Sequence, residues 1–159
     1  MSNFINPFVS IIIPVYNGSN FIKNSIDCAL NQDYDNFEVI VVNDGSCDDG
    51  KTEEIALSYG DRIRYFRKEN GGVSSALNLG INVMRGEYFS WLSHDDAYSE
   101  HKVSDAIKLL CSFGMIGKKC VAFTGGFFIN KQGEQIEDFK NRFKPCEEYT
   151  GVQAAKVMA

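Results

Sequence analysis

The chain of 159 residues is 44% hydrophobic and 23% charged, and sixteen Lys and Arg against twenty-one Asp and Glu leave a net charge of -5. Length and composition are those of a single globular domain over 1–159, whose core can form without disulfides or a structural metal. The acidic balance argues against a nucleic-acid partner, and an anionic small substrate would need a metal ion or local backbone donors to offset its charge.

Cys28, Cys47, Cys111, Cys120 and Cys146 are scattered, odd in number and never spaced C-x-x-C. Neither a disulfide framework nor a zinc site is indicated, and a reducing cytoplasm is the expected setting. The opening MSNFINPF lacks the basic region and apolar core of a signal peptide. No stretch approaches the roughly 18 apolar residues of a transmembrane segment.

In chain order, FVSIIIPV (Phe8 to Val15) and FEVIVV (Phe37 to Val42) are nearly continuous hydrophobic runs, as expected of parallel strands covered on both faces. Between them Phe21, Ile22, Ile26, Ala29 and Leu30 form a loose helical stripe. A helix over about Thr52 to Tyr59 is closed by Gly60, and RIRYF (Arg62 to Phe66) follows as a third strand. Val73, Ala76, Leu77, Gly80, Ile81 and Met84 lie on one helical face, with Gly86 suited to the left-handed residue that ends a helix. EYFSWL (Glu87 to Leu92) is the fourth strand. Ser99 is placed to cap a helix from Glu100 to about Phe113, carrying the stripe Val103, Ala106, Ile107, Leu110 and Cys111. CVAFTG (Cys120 to Gly125) reads as a fifth strand, and FFINKQGEQIEDF as a hairpin about a Gln-Gly turn. EEYTGVQAAKVMA opens a helix with Thr150 as N-cap. Breaking off there, the sequence is expected to be a fragment of something longer.

The alternation predicts an α/β domain, Rossmann-like, with a mostly parallel central sheet flanked by helices and a C-terminal hairpin. In such a sheet ligands sit beyond the carboxyl ends of the strands. Four polar segments fall there: PVYNGSN, NDGSCDDG, KENGG and SHDDAYSE. Asp95 and Asp96 follow an apolar strand, and adjacent carboxylates repel unless a cation offsets them. Oxygen ligands without cysteine suit Mg²⁺ or Mn²⁺ shared with substrate phosphates. His94 is read as an ordinary loop histidine rather than a ligand. Asp44, beside Gly45, can present acceptors to ligand N–H or hydroxyl groups, whereas Asp48 and Asp49 serve the next helix start. Gly71 and Gly72 let a ligand approach a helix N-terminus. Tyr16 can offer a flat face to an aromatic base, and Asn17 can turn the chain. Neither G-x-G-x-x-G nor a Walker loop is present.

These segments, in this order and spacing from Phe8 to about Lys131, strongly resemble the family-2 glycosyltransferases. The resemblance implies the glycosyltransferase A fold, with the start of a truncated acceptor region after the hairpin, and transfer of sugar from a UDP-sugar or similar donor, with inversion, to a hydroxyl of a saccharide or lipid-linked acceptor. It implies that Pro14, Val15 and Tyr16 border the nucleobase, that Asp44 accepts from its ring N–H, and that Gly71 and Gly72 line the same pocket. It also implies that Asp95 lies near the ribose and diphosphate and that Asp96 is the metal-binding aspartate of a D-x-D-type motif. Ser93 stands where many relatives carry a further aspartate, and Leu77 where many carry arginine. The general base is expected beyond Ala159, and the setting is the cytoplasm or the inner face of a membrane reached through missing parts or partners. One alternative is a non-catalytic nucleotide-sugar-binding module. A receiver-like signalling domain would need an acidic pair after the first strand, where this chain has PVYN.

Overall fold

The computed structural model describes residues 6–122, 126–129 and 135–139. The chain divides into two compact units, Met1–Cys120 and Val121–Ala159. In the first, β1 (Val9–Val15), β2 (Phe37–Asn43), β3 (Arg64–Arg67) and β4 (Tyr88–Trp91) form a parallel sheet in the order β3-β2-β1-β4. The helices α1 (Ile22–Leu30), α2 (Lys51–Leu57), α3 (Val73–Val83) and α4 (Lys102–Ser112) alternate with the strands. No helix among the described residues is long and apolar enough to cross a membrane.

Burial explains the layering. Every residue of β1 is buried, which a strand achieves only when it is central and covered on both faces. Ile12, paired with Ile40, joins Val42 and the α3 residue Ala76 in one core cluster, against which Phe66, Leu77, Leu79, Val83 and Met84 pack. Ile11, Ile13, Val39 and Val41 alternate to the opposite face and are equally buried, where α1 touches β1 and β2 and α2 touches β2. Leu77, at the position where arginine was noted in relatives, is thus a core residue.

Several local expectations are corrected. Gly86 is absent from the positive-φ residues. It is small because a Cβ there would stand 2.6 Å from the Ser10 nitrogen, and its N–H donates to Ser10 Oγ at 2.9 Å. The end of α3 is instead held by Arg64, whose Nη1 donates to the Val83 carbonyl at 2.8 Å. Gly60 is left-handed as expected, with φ +55°. Ser99 does not cap α4, which begins at Lys102. Gln32 does so from outside the helix, its Oε1 accepting from the Val103 N–H at 3.0 Å and its Nε2 donating to the Ser99 carbonyl at 2.9 Å. Phe21, Val73, Ile81 and Cys111 are exposed rather than part of the apolar faces assigned to them.

In the second unit, β5 (Gly126–Ile129) and β6 (Gln135–Phe139) pair antiparallel, the two arms of the expected hairpin. Their Gln-Gly turn lies outside the described residues, as do Thr150 and the helix it was expected to cap. Of the proposed strand Cys120 to Gly125, the first three residues are irregular and the rest lie outside the described residues. Val121 is exposed, so it lacks the packing that favours a strand.

Gly80 gives a test of the α3 packing. Glycine inside a helix ordinarily costs about 1 kcal/mol relative to alanine. Here a Cβ would stand 2.5 Å from Ile12 Cγ2, and overpacking a core costs about 1–3 kcal/mol. Gly80→Ala is therefore expected to destabilise the chain in urea denaturation. A stabilised variant would show that α3 sits farther from the sheet.

Candidate functional site

The chain runs outward from β1 to β2 and β3, then returns past β1 to β4. The direction of winding reverses between β1 and β4, and a crevice at their carboxyl ends is where an open α/β sheet accepts a ligand. All four polar segments identified in the sequence leave strands on that side.

Asp44 follows β2 and is 3% exposed. Its Oδ1 accepts from Lys68 Nζ at 2.7 Å and from the Gly71 N–H at 3.1 Å; its Oδ2 accepts from the same Gly71 N–H at 3.1 Å and from the Gly72 N–H at 2.7 Å. Those contacts fill the four acceptor positions of a carboxylate. The Gly71 bond is shared between both oxygens, so a further donor can enter if it collapses onto one. Burial works to raise the Asp44 pKa, but Lys68 and the two glycine N–H groups outweigh it and hold the carboxyl below the ordinary aspartate value. Close approach of the loops requires Gly45, with φ +74° and an added Cβ 2.7 Å from the Asn70 nitrogen. Gly72 also has positive φ, +83°, and open space around it.

Tyr16 is 45% exposed at the end of β1, and its hydroxyl lies 3.5 Å from Cys47 Sγ. Asn17 turns the chain with φ +51°; its N–H donates to Ser46 Oγ at 2.9 Å and its Oδ1 accepts from the Cys47 N–H at 2.8 Å. The Gly18 N–H donates to Thr52 Oγ1 at 3.0 Å. The loops after β1 and β2 are therefore stitched together, with the Tyr16 ring partly exposed at the carboxyl end of β1. Pro14 and Val15 are buried within β1, and the Val15 carbonyl already accepts from the Asp44 N–H at 2.8 Å. Asp48 serves the start of α2 as expected, its Oδ2 accepting from Thr52 Oγ1 at 2.6 Å.

Asp95 and Asp96 lie in a tight turn after β4, closed by the Asp96 N–H donating to the Ser93 carbonyl at 3.1 Å. Ser25 on α1 fixes that turn, its hydroxyl lying 2.7 Å from the His94 carbonyl and 2.8 Å from the Asp96 carbonyl. The Tyr98 N–H reaches Cys28 Sγ at 3.2 Å. The His94 ring packs so closely on Gly18 that an added Cβ would stand 2.5 Å from its Cδ2. Both aspartates face solvent, and neither forms an ion pair among the described residues. Desolvation by surrounding protein and then the charge of Asp95 raise the Asp96 pKa, with His94 opposing. No cluster of three His, Cys, Asp or Glu among the described residues could hold a metal alone. The pair fits a hard divalent cation that takes one or two carboxylates and completes its shell with water and phosphate oxygens.

The residues that hold these groups were not legible as site residues. Lys68 stands in the KENGG segment and Asn43 and Ser46 in NDGSCDDG, but their residue types marked none of them as part of the site, and Ser25 lies in no such segment. Buried Asn43 bridges the crevice base, accepting from the Ser46 N–H at 2.8 Å and donating to Tyr65 Oη at 2.8 Å. The only available sequence signal was a polar residue ending the run FEVIVVN.

Comparison with known proteins agrees with this fold. An uncharacterized glycosyltransferase of Rickettsia typhi, RT0329, is 64% identical over 134 residues, spanning 84% of this chain and 41% of that protein. The chain spans between 18% and 41% of the length of its Rickettsia relatives. TarS 1-349 of S. aureus in complex with UDP-GlcNAc superposes with a TM-score of 0.59 at 26% identity, covering 66% of this chain and 31% of that one. The mannosyltransferase PcManGT of Pyrobaculum calidifontis, in complex with GDP-Man and Mn²⁺, gives 0.60 at 25% identity, covering 67% and 33%. These neighbours share the glycosyltransferase A fold. The family model described as glycosyl transferase family 2 matches residues 10–155, and the chain belongs to that family.

Proposed function

We propose that this chain forms the donor-binding part of an inverting glycosyltransferase that uses a UDP-sugar or similar nucleotide sugar. The acceptor in this reading is a hydroxyl of a saccharide or lipid-linked molecule. The observation that carries it is the pairing of two unlike acidic sites at one crevice: Asp44, buried and clasped by Gly71 and Gly72, and the exposed Asp95–Asp96 turn. The first suits an uncharged N–H edge such as a nucleobase presents, beside the open face of Tyr16. The second suits a diphosphate through Mg²⁺ or Mn²⁺, with Asp96 as the metal ligand and Asp95 toward the ribose and diphosphate. The ion, when bound, supplies positive charge to the departing diphosphate. The nucleotide sugars in the TarS and PcManGT structures, and the Mn²⁺ in the latter, support the reading. A cytoplasmic setting belongs to the same proposal and is supported by free Cys28, Cys47, Cys111 and Cys120.

Inversion needs a base to deprotonate the acceptor hydroxyl as it attacks the anomeric carbon. None of the described carboxylates is assigned that role. Asp44 is held by Lys68, Gly71 and Gly72 and is committed to the base edge, and Asp95 and Asp96 are committed to the leaving group. In this proposal the base lies beyond Ala159.

Calorimetry with UDP tests the division of roles. Binding is expected to tighten with Mn²⁺ or Mg²⁺ over chelator. Asp96→Asn should remove that increment and spare free uridine, whereas Asp44→Ala should weaken uridine and UDP alike. Equal affinity with and without metal, or parallel losses in both variants, would contradict the assignment. Sugar transfer is the second test. Removing a general base costs about 10² to 10⁴ in rate, so the 159-residue chain should bind donor yet glycosylate acceptors negligibly, and a longer chain carrying the base should transfer. Efficient transfer by the shorter chain would assign the base to a residue within it, and no transfer by either would favour a non-catalytic binding module.

A further inference from the structure

The side chain of Asp44 is 4% exposed, and a carboxylate so far withdrawn from water needs compensating charge or hydrogen bonds. Three groups from the loop between β3 and α3 supply them, and only Lys68 brings a charge. Lys68 is anchored at both ends. Its N–H donates to the Asn43 carbonyl at 3.0 Å, extending the β2–β3 ladder. Its ammonium bonds both Asp44 Oδ1 and the Glu69 carbonyl. A Cβ at Gly71 would stand 2.8 Å from Ser75 Oγ and 2.9 Å from Lys68 Nζ, so the bare glycine leaves the ammonium uncrowded.

We infer that Lys68 is a positioning residue of the nucleoside subsite, the counter-charge that holds the Asp44 carboxylate in place and ties it to the Gly71–Gly72 turn. What Asp44 meets in the crevice rests on the donor-site reading above; the Lys68 clasp rests on the geometry alone. An incoming base N–H displaces one arm of the shared Gly71 bond, the longer contact, while the 2.7 Å Lys68 contact stays.

The groups facing Asp44 are the Lys68 ammonium from the β3–α3 loop and the Tyr16 phenol from the loop after β1, with the Cys47 thiol beyond Tyr16. Because Lys68 and the two glycine N–H groups hold the Asp44 carboxyl below the ordinary aspartate value, the stabilisation it confers is present above the unfolded pKa and is lost as pH falls through the folded one. Neutralising Lys68 removes an opposite charge and moves that acid limb upward.

Carboxyl NMR titration of the full chain reads Asp44 directly, and titrations with uridine and guanosine, which carry no phosphate, read the subsite. Lys68→Met is expected to raise the Asp44 midpoint by about one pH unit or more and, through protonation of Asp44, to weaken nucleoside binding about twofold at the new midpoint, approaching tenfold well below it. Lys68→Arg, which keeps the charge, should retain the wild-type midpoint. Should Lys68→Met fail to fold, Gly71→Ala, whose methyl crowds the ammonium, must shift the midpoint in the same direction. A midpoint unmoved by whichever of these variants folds, or moved equally by Lys68→Arg, would overturn the proposal. A wild-type chain that binds neither nucleoside would overturn the donor reading instead, and the carboxyl titration would still decide the role of Lys68.

Discussion

A carboxylate held out of water at the end of a buried strand governs the local construction of this protein. Asp44 cannot sit at the end of β2 as a lone charge, because the desolvation cost of an unpaired buried carboxylate is several kcal/mol, on the order of a large share of a domain's net stability. Its partners all come from the loop that leaves β3, so that loop must pass close to β2. Gly45, with φ +74°, makes the approach sterically possible. Asn43, with no exposed surface, fixes the turn beneath it through Ser46 and Tyr65. The entry to α3 is thus determined by electrostatics within the crevice. No side chain of its own caps that helix, whose N-cap is Gly72.

The second acidic site follows the opposite logic. Ser25, Cys28 and Gln32 hold successive backbone groups of the segment from His94 to Val103. This leaves Asp95 and Asp96 exposed and without an ion pair among the described residues, with Asp96 still partly desolvated by the protein around it. Asp44 is pushed below the ordinary aspartate value and Asp96 above it. Two carboxylates driven apart in this way suit two partners, a hydrogen-bond donor for the one already ionised and stabilised, and a cation for the one whose charge is uncompensated.

The fold was legible wherever burial imposes a pattern. β1 and β2 are covered on both faces, so SIIIPV and FEVIVV could hardly be read otherwise. The strand-end rule then located the crevice, and the resemblance of its segments to known glycosyltransferases pointed to the family. What escaped the sequence was long-range. Gln32 caps a helix about seventy positions away, which no local window detects, and Ser99 was the reasonable local choice. Gly86 carries the same letter whether it turns a helix or makes room for Ser10. The proposed strand at Cys120 has the right β-branched and aromatic residues, but a strand also needs a partner and a buried face. At the site, the aspartates and glycines were identified by type, whereas the pairing of Asp44 with Lys68 emerged only when the loops were placed side by side.

The central claim is that a nucleoside edge and a metal-bridged diphosphate occupy two separate acidic sites of one crevice. Amide NMR of the labelled chain, titrated first with UDP alone and then with a small fraction of Mn²⁺, tests it most directly. UDP alone is predicted to shift Gly71, Gly72 and Asp44, and the paramagnetic ion should then broaden Asp95, Asp96 and Ser93 before any signal of the glycine turn. Broadening centred on another part of the chain, or on Asp44 as strongly as on Asp96, would contradict the two-site arrangement.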